Sequence, residues 1–263
     1  MNMVLHEMKS LRKSTVLWTC SLIAIAALYL SLYPGIGKDA EDFKRLLGGY
    51  PPAVRAMLGI RLDSITSMLG FYSFAFSFIA LCGAIQGMNL GVSILSKESR
   101  ERTADFLLVK PVSRVSIVTA KLSAAVLMLL ATDVVFYAAV SVLANAVKTS
   151  DFSHKLFFMV NLTLLFLQLI FFSLGMAVSV FFKRLKSVLP LSLGVVFGLY
   201  LLGARRNDGA ARYFSPFQYF RTDYILRHSA YESPYLIAGA AVAVVSILVA
   251  YTVYVKKDIH AVS

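Results

Sequence analysis

An all-α integral membrane protein with six transmembrane helices is the fold class this sequence predicts, and three observations predict it. The 263 residues are 58% hydrophobic and only 15% charged, with a mean hydropathy of +0.72. A soluble domain carries about 25% charged residues. The apolar residues run in long blocks instead of alternating stripes, the arrangement selected when lipid replaces water as the outer solvent. The basic residues, which give a net charge of +12 and a pI near 9.7, gather at the ends of those blocks. That placement sets topology and meets anionic headgroups of the lipid bilayer, and it excludes nucleic acid as the partner.

Windows between charged residues place the spans at about 15–33, 65–95, 115–146, 154–182, 187–204 and 234–255 of a single transmembrane domain, 1–263. Each is near or above the ~20 residues that cross ~30 Å of hydrocarbon at ~1.5 Å per residue. The second is longer than the bilayer needs, so its helix projects beyond the membrane or tilts. The first follows Lys9, Arg12 and Lys13 like a signal peptide. It is long for one, and no small-residue cleavage pattern precedes the helix-breaking Pro34-Gly35, so it reads as an uncleaved span.

Alternating the segments puts both termini on one side of the membrane. That side collects Lys9, Arg12, Lys13, Lys97, Arg100, Arg102, Lys110, Arg114, Lys121, Lys183, Arg184, Lys186, Lys256 and Lys257, more than half of the basic residues. By the positive-inside rule both termini are cytoplasmic, in the plasma (inner) membrane. Cys20 and Cys82 each sit in an apolar run and read as buried, inert thiols.

Three stretches outside the spans carry a pattern. In residues 1–13, Val4, Leu5, Met8 and Leu11 share one helical face, which predicts an amphipathic N-terminal interface helix on the cytoplasmic surface. Residues 39–47 have helical spacing until Gly48-Gly49-Tyr50-Pro51-Pro52 breaks it, and a second short helix is expected at 53–58. The run Tyr213 to Phe220 beside Arg212 and Arg221 suits an interfacial or re-entrant element, either a headgroup-level anchor or a substrate gate.

The connection between the second and third spans, 97–114, is the most informative. Glu98, Arg100, Glu101 and Arg102 cluster at its start, an apolar patch with Phe106 and Leu107 follows, and Pro111 ends the helix. Ser113 can cap the helix that Arg114 opens. A helix presenting Phe106, Leu107 and Lys110 on one side makes a greasy knob with a basic rim, fit for a groove in a cytosolic partner. A solvated hairpin, its charges merely keeping the loop wet, fits those residues equally well.

Within the spans, Asp133 lies about 18 Å beyond Lys121 along a helix, near mid-bilayer. An ionisable group at that depth is expensive unless paired or wet, which makes it a functional candidate. A structural Asp133 packed on Thr132, Asn161 or Gln168 is the other reading. Asn161 and Gln168 are weaker candidates for a substrate pathway; helix–helix hydrogen bonds account for them, as for Gln86 and Asn89. No GxxxxGK[ST] or HExxH occurs, and His6, His154, His228 and His260 lie in different segments. Catalytic residues, a metal site and a bound cofactor are therefore not expected.

Glu98, Thr103, Leu107 and the run Pro111-Val112-Ser113-Arg114, spaced as they are after a long second span, resemble the permeases of type-2 ATP-binding-cassette exporters. The family pattern has glycine before the threonine and often glutamate two after it; this chain has Arg102 and Asp105. The run Phe214 to Phe220 resembles the family's aromatic Ser-Pro-Phe element before the last span. The likeness covers nearly the whole chain. It implies a permease subunit that dimerises, as homodimer or heterodimer, and binds two cytosolic ATPase subunits, which hold ATP and Mg. Residues 97–114 would be the coupling helix, with Glu98, Arg100, Glu101, Arg102, Thr103, Phe106, Leu107, Pro111, Ser113 and Arg114 at the ATPase contact, and Lys121 would snorkel at the membrane edge. The rival is an ATP-independent secondary transporter or channel that uses Asp133 as an ion or proton site. A membrane enzyme and a purely structural membrane partner are further alternatives, the first lacking a paired catalytic constellation.

Overall fold

The computed structural model describes residues 3–36, 40–51, 54–55, 62–101, 113–182, 187–205 and 209–256, with backbone alone at 98–101, 204–205 and 209–211. Those residues form helices α1 (Met3–Ile36), α2 (Ala40–Gly48), α3 (Met68–Glu101), α4 (Arg114–Val147), α5 (His154–Phe181) and α6 (Leu189–Arg205). Two 3-10 turns follow, Gly209–Phe214 and Pro216–Gln218, and then α7 (Thr222–His228) and α8 (Ser233–Lys256).

Among the described residues, five helices are long and apolar enough to cross a membrane: α1, α3, α4, α5 and α8. The sixth expected crossing, α6, has 17 residues. At ~1.5 Å per residue it spans about 25 Å, short of the hydrocarbon core.

The residues before Lys13 do not form a separate interface helix. They are the first turns of α1, which runs unbroken through the apolar stretch. The reason is local: no glycine or proline separates Leu5 from Ser31, and Thr15 and Thr19 donate back to the carbonyls of Leu11 and Thr15. Pro34 falls inside the final turn of α1 instead of breaking it. Losing one N–H bond there removes little, because the helix ends two residues later. The expected outer helix near 39–47 appears as α2, while the one at 53–58 lies largely outside the described residues.

Helices α3 and α5 form the centre, each buried over most of its apolar window, whereas α1, α4 and α8 pack around them and present most of their surface outward. Close approach of α3 to α5 depends on glycine. A Cβ at Gly87 would lie 2.5 Å from the Gln168 carbonyl oxygen, and one at Gly91 would collide with the carbonyl oxygen of Phe172. With Gly83 these residues fall four apart and so line one face of α3. Aromatic pairs such as Tyr72–Phe157, 4.6 Å between centroids, fill the wider part of the seam. The outward surfaces carry large apolar side chains, among them Leu17, Val142, Ile237 and Leu248. Cys20 is also exposed on α1, contrary to the buried thiol expected from its apolar neighbours. An apolar run facing lipid and one facing protein look alike in sequence.

Candidate functional site: the 97–114 end and the polar core

Four helix ends meet at one end of the bundle, where the connection 97–114 leaves α3 and enters α4. Lys97 on α3 donates a 2.7 Å hydrogen bond to Ser10 on α1. Ser113 caps α4 as its residue type suggests, accepting 3.2 Å from the Ser116 N–H. Arg114 reaches the Val255 carbonyl near the end of α8 at 3.2 Å, and the Thr119 and Tyr251 hydroxyls lie 3.0 Å apart one turn deeper. The N-terminal part of α1 and the C-terminal part of α8 therefore lie at the same end of the bundle.

Lys121 does not snorkel. Its side chain is 1% exposed, its ammonium donates 2.8 Å to the Ile94 carbonyl of α3, and the Glu7 carboxylate of α1 stands 3.6 Å away. Burial between three helices, with a carboxylate and a carbonyl to satisfy it, replaces the route to the membrane edge. Neither residue was singled out by sequence as a pair. The available signal was one lysine a turn or two inside an apolar run and one glutamate on the polar side of the amphipathic start.

Of the other residues expected at this end, Glu98, Arg100 and Glu101 lie on the last helical turns of α3, of which the backbone alone is described. Arg102, Thr103, Phe106, Leu107 and Pro111 lie outside the described residues.

The membrane-depth candidates divide. Asn161 and Gln168 lie two turns apart on the buried face of α5. Tyr72 of α3 donates 2.7 Å to Asn161 Oδ1, and Asn161 Nδ2 donates back to Phe157 at 2.8 Å. Gln168 Nε2 donates 3.1 Å to Gln86 Oε1, Gln86 Nε2 lies 3.4 Å from the Thr132 hydroxyl, and the Thr19 and Thr132 hydroxyls lie 3.2 Å apart. One polar chain thus joins α5, α3, α4 and α1 through the apolar core. Asp133 stands beside Thr132 but outside this chain. Both its carboxylate oxygens are buried without a hydrogen-bond partner among the described residues, as is Gln168 Oε1.

At the opposite end the aromatic segment folds back along α6. Ser215 Oγ donates 2.8 Å to the Leu199 carbonyl, about 9 Å short of the α6 terminus, and Gln218 Nε2 donates 3.2 Å to Gly203. Gly203 has to be glycine there, since a Cβ would lie 2.6 Å from Ser215 Oγ. Arg212 locks the fold-back: its guanidinium takes both oxygens of Glu232 at 2.8 and 3.0 Å, donates 2.9 Å to the Gln218 carbonyl, and stacks 3.8 Å over the Tyr235 ring. Burial works against the charged guanidinium, but the Glu232 carboxylate outweighs it and holds Arg212 above its ordinary pKa.

No group of side chains able to hold a metal ion is found among the described residues. A family model described as ABC-2 family transporter protein matches residues 1–259. The chain belongs to the ABC-2 transporter family. It is accordingly a multi-pass membrane permease of an ABC-type transporter, and the family's membrane chain is a transport component and not a catalytic ATPase. No curated protein matches the sequence. Among the described residues of this ABC-2 permease, charged or polar side chains converge where α3 ends and α4 begins, along the polar chain through the core, and at the Arg212–Glu232 fold-back.

Proposed function

We propose that this permease is the membrane half of an exporter driven by separate cytosolic ATPase subunits that dock on 97–114. The observation that carries the reading is the convergence of α1, α3, α4 and α8 on the two feet of that connection, held by the Lys97–Ser10, Lys121–Glu7 and Arg114–Val255 contacts. A segment anchored on both sides to four helices passes an applied push into the whole bundle as rigid-body movement. Glu98, Arg100, Glu101 and Arg102 supply charged contacts to the ATPase, Phe106 and Leu107 supply apolar anchoring, and Thr103, Pro111, Ser113 and Arg114 complete the contact set. Two permease protomers and two ATPase subunits make the working unit, the ATPases holding ATP and Mg. Both termini face the cytoplasm of the plasma membrane, and α6 makes the sixth crossing, with the fold-back 209–221 packed against its outer end. Export is the direction implied by the type-2 resemblance. Capture from detergent extracts tests the docking: the full chain retains an ATPase subunit, and Leu107→Asp loses it. Capture and stimulated hydrolysis both surviving in Leu107→Asp refute the assignment.

Asp133 favours a second reading, because two buried carboxylate oxygens without a hydrogen-bond partner among the described residues suit an ion or proton site. On that reading the chain alone, in vesicles, carries a gradient-driven proton flux that Asp133→Asn abolishes. In the exporter reading Asp133, Asn161 and Gln168 border the substrate route, and the chain alone carries no such flux.

A further inference from the structure

We infer that Lys121 is a positioning residue: it clamps α1 and α3 to α4 at the foot of the 97–114 connection, so that movement of that connection reaches the far end of α1. The inference rests on the coupling role proposed for 97–114 and names the side chain that carries it inward. Lys121 lies seven residues into α4, two turns below the Ser113 cap. From there its ammonium joins three helices at once, through the Ile94 carbonyl at 2.8 Å and the Glu7 carboxylate at 3.6 Å. The same two feet are tied sideways, α3 to α1 by Lys97–Ser10 and α4 to α8 by Arg114–Val255. Lys121 is the point where those separate ties become one body.

Stability alone gives no reason for a lysine here. A methionine fills a similar volume without desolvating a charge, and replacing a buried ion pair by apolar residues is often neutral or stabilising. What a buried ion pair supplies is a fixed geometry. The ammonium donates to only a few oxygens, held at fixed positions by α1 and α3, whereas an apolar contact slides. Sliding at this position would let the connection move while α1 stayed still.

The test uses the full chain with its co-purified ATPase subunit in lipid nanodiscs. Cys20 and Cys82 are replaced by serine, and spin labels are placed at Leu32→Cys and Ile237→Cys, exposed sites on α1 and α8 remote from Lys121. Electron–electron distance measurements are taken without nucleotide and after vanadate trapping of ATP. The background protein is expected to show a distance shift on trapping. Lys121→Met is expected to keep the captured ATPase and its trapped nucleotide but lose the shift, and Lys121→Arg to restore it. An undiminished shift in Lys121→Met overturns the inference. If Lys121→Met does not fold, Glu7→Gln leaves the Ile94 bond in place and must still blunt the shift; an unaltered shift there overturns it equally. Background protein that captures an ATPase but shows no shift overturns the role of Lys121 and leaves docking intact. Background protein that captures none removes the docking reading and this inference together.

Discussion

Gly175 of α5 faces Gly91 of α3 so closely that a Cβ on Gly175 would lie 3.1 Å from the Gly91 Cα and 2.5 Å from the Met88 carbonyl oxygen. Two backbones at that separation leave no room for side chains, so the central helix pair is held by direct main-chain contact and by the side chains on either flank.

Gly91→Ala therefore forces α3 and α5 apart, at a cost of about 1–3 kcal/mol. Gly198→Ala on α6 meets nothing within 4 Å and, by removing a glycine from a helix interior, is expected to leave stability unchanged or raise it by up to about 1 kcal/mol. Thermal unfolding of the purified chain in detergent, read by fluorescence size-exclusion, separates the two. Equal midpoints for both variants contradict the seam.

Tyr72→Phe leaves Asn161 Oδ1 buried without its 2.7 Å donor. The expected loss is about 0.6–2 kcal/mol, within the range of interhelical hydrogen bonds in membranes. A double-mutant cycle with Asn161→Leu returns a coupling energy above zero if the bond holds α3 to α5, and none if each residue packs independently.

The helical class was legible because lipid imposes it: long apolar blocks with basic ends leave few other solutions. The cap at Ser113 was legible for a local reason, since a hydroxyl just before a helix start has one good use. The continuity of α1 was not, because an amphipathic stretch and an apolar stretch differ in composition while the backbone passes through both. Lys121 was misread for a related reason. Snorkelling depends on what surrounds the stem, and the ends of α1 and α3 that enclose it come from residues 27 or more positions away. The seam went unread in the sequence: Gly83, Gly87 and Gly91 repeat every four residues in α3, but the partner face on α5 carries a single glycine and no such spacing. For 97–114 the chemistry fits a wet hairpin as well as a docking knob, and it is the family resemblance that favours the knob.

Asp133→Leu removes two buried oxygens that have no partner among the described residues. An unpaired polar group costs about 1–3 kcal/mol by mutational data, so the variant is expected to unfold at a higher temperature than wild type. A lower midpoint contradicts an unpartnered carboxylate.

The carboxylate of Asp151 accepts a 2.7 Å hydrogen bond from Lys148, and that bond with its charge holds the acid below its ordinary pKa of 3.8. A depressed acid contributes stability that is present above the ordinary value and lost as pH falls through the folded value. The midpoint difference between wild type and Asp151→Asn is therefore expected to shrink as pH falls below about 4. A difference that survives undiminished at about pH 3 contradicts the assignment.

Arg212→Lys keeps a positive charge but loses the paired contact to Glu232 and the stacking on Tyr235. The fold-back along α6 is expected to loosen, with faster hydrogen exchange confined to 209–221. Unchanged exchange there means the Leu199 and Gly203 bonds suffice without Arg212.

The coupling role of 97–114 is tested most directly by photo-crosslinking from position 106 in intact cells, with benzoylphenylalanine replacing Phe106. A single major adduct with a cytosolic ATPase subunit is expected, formed from the cytoplasmic side. An adduct with no ATPase subunit, or labelling of position 106 from outside the cell, contradicts it.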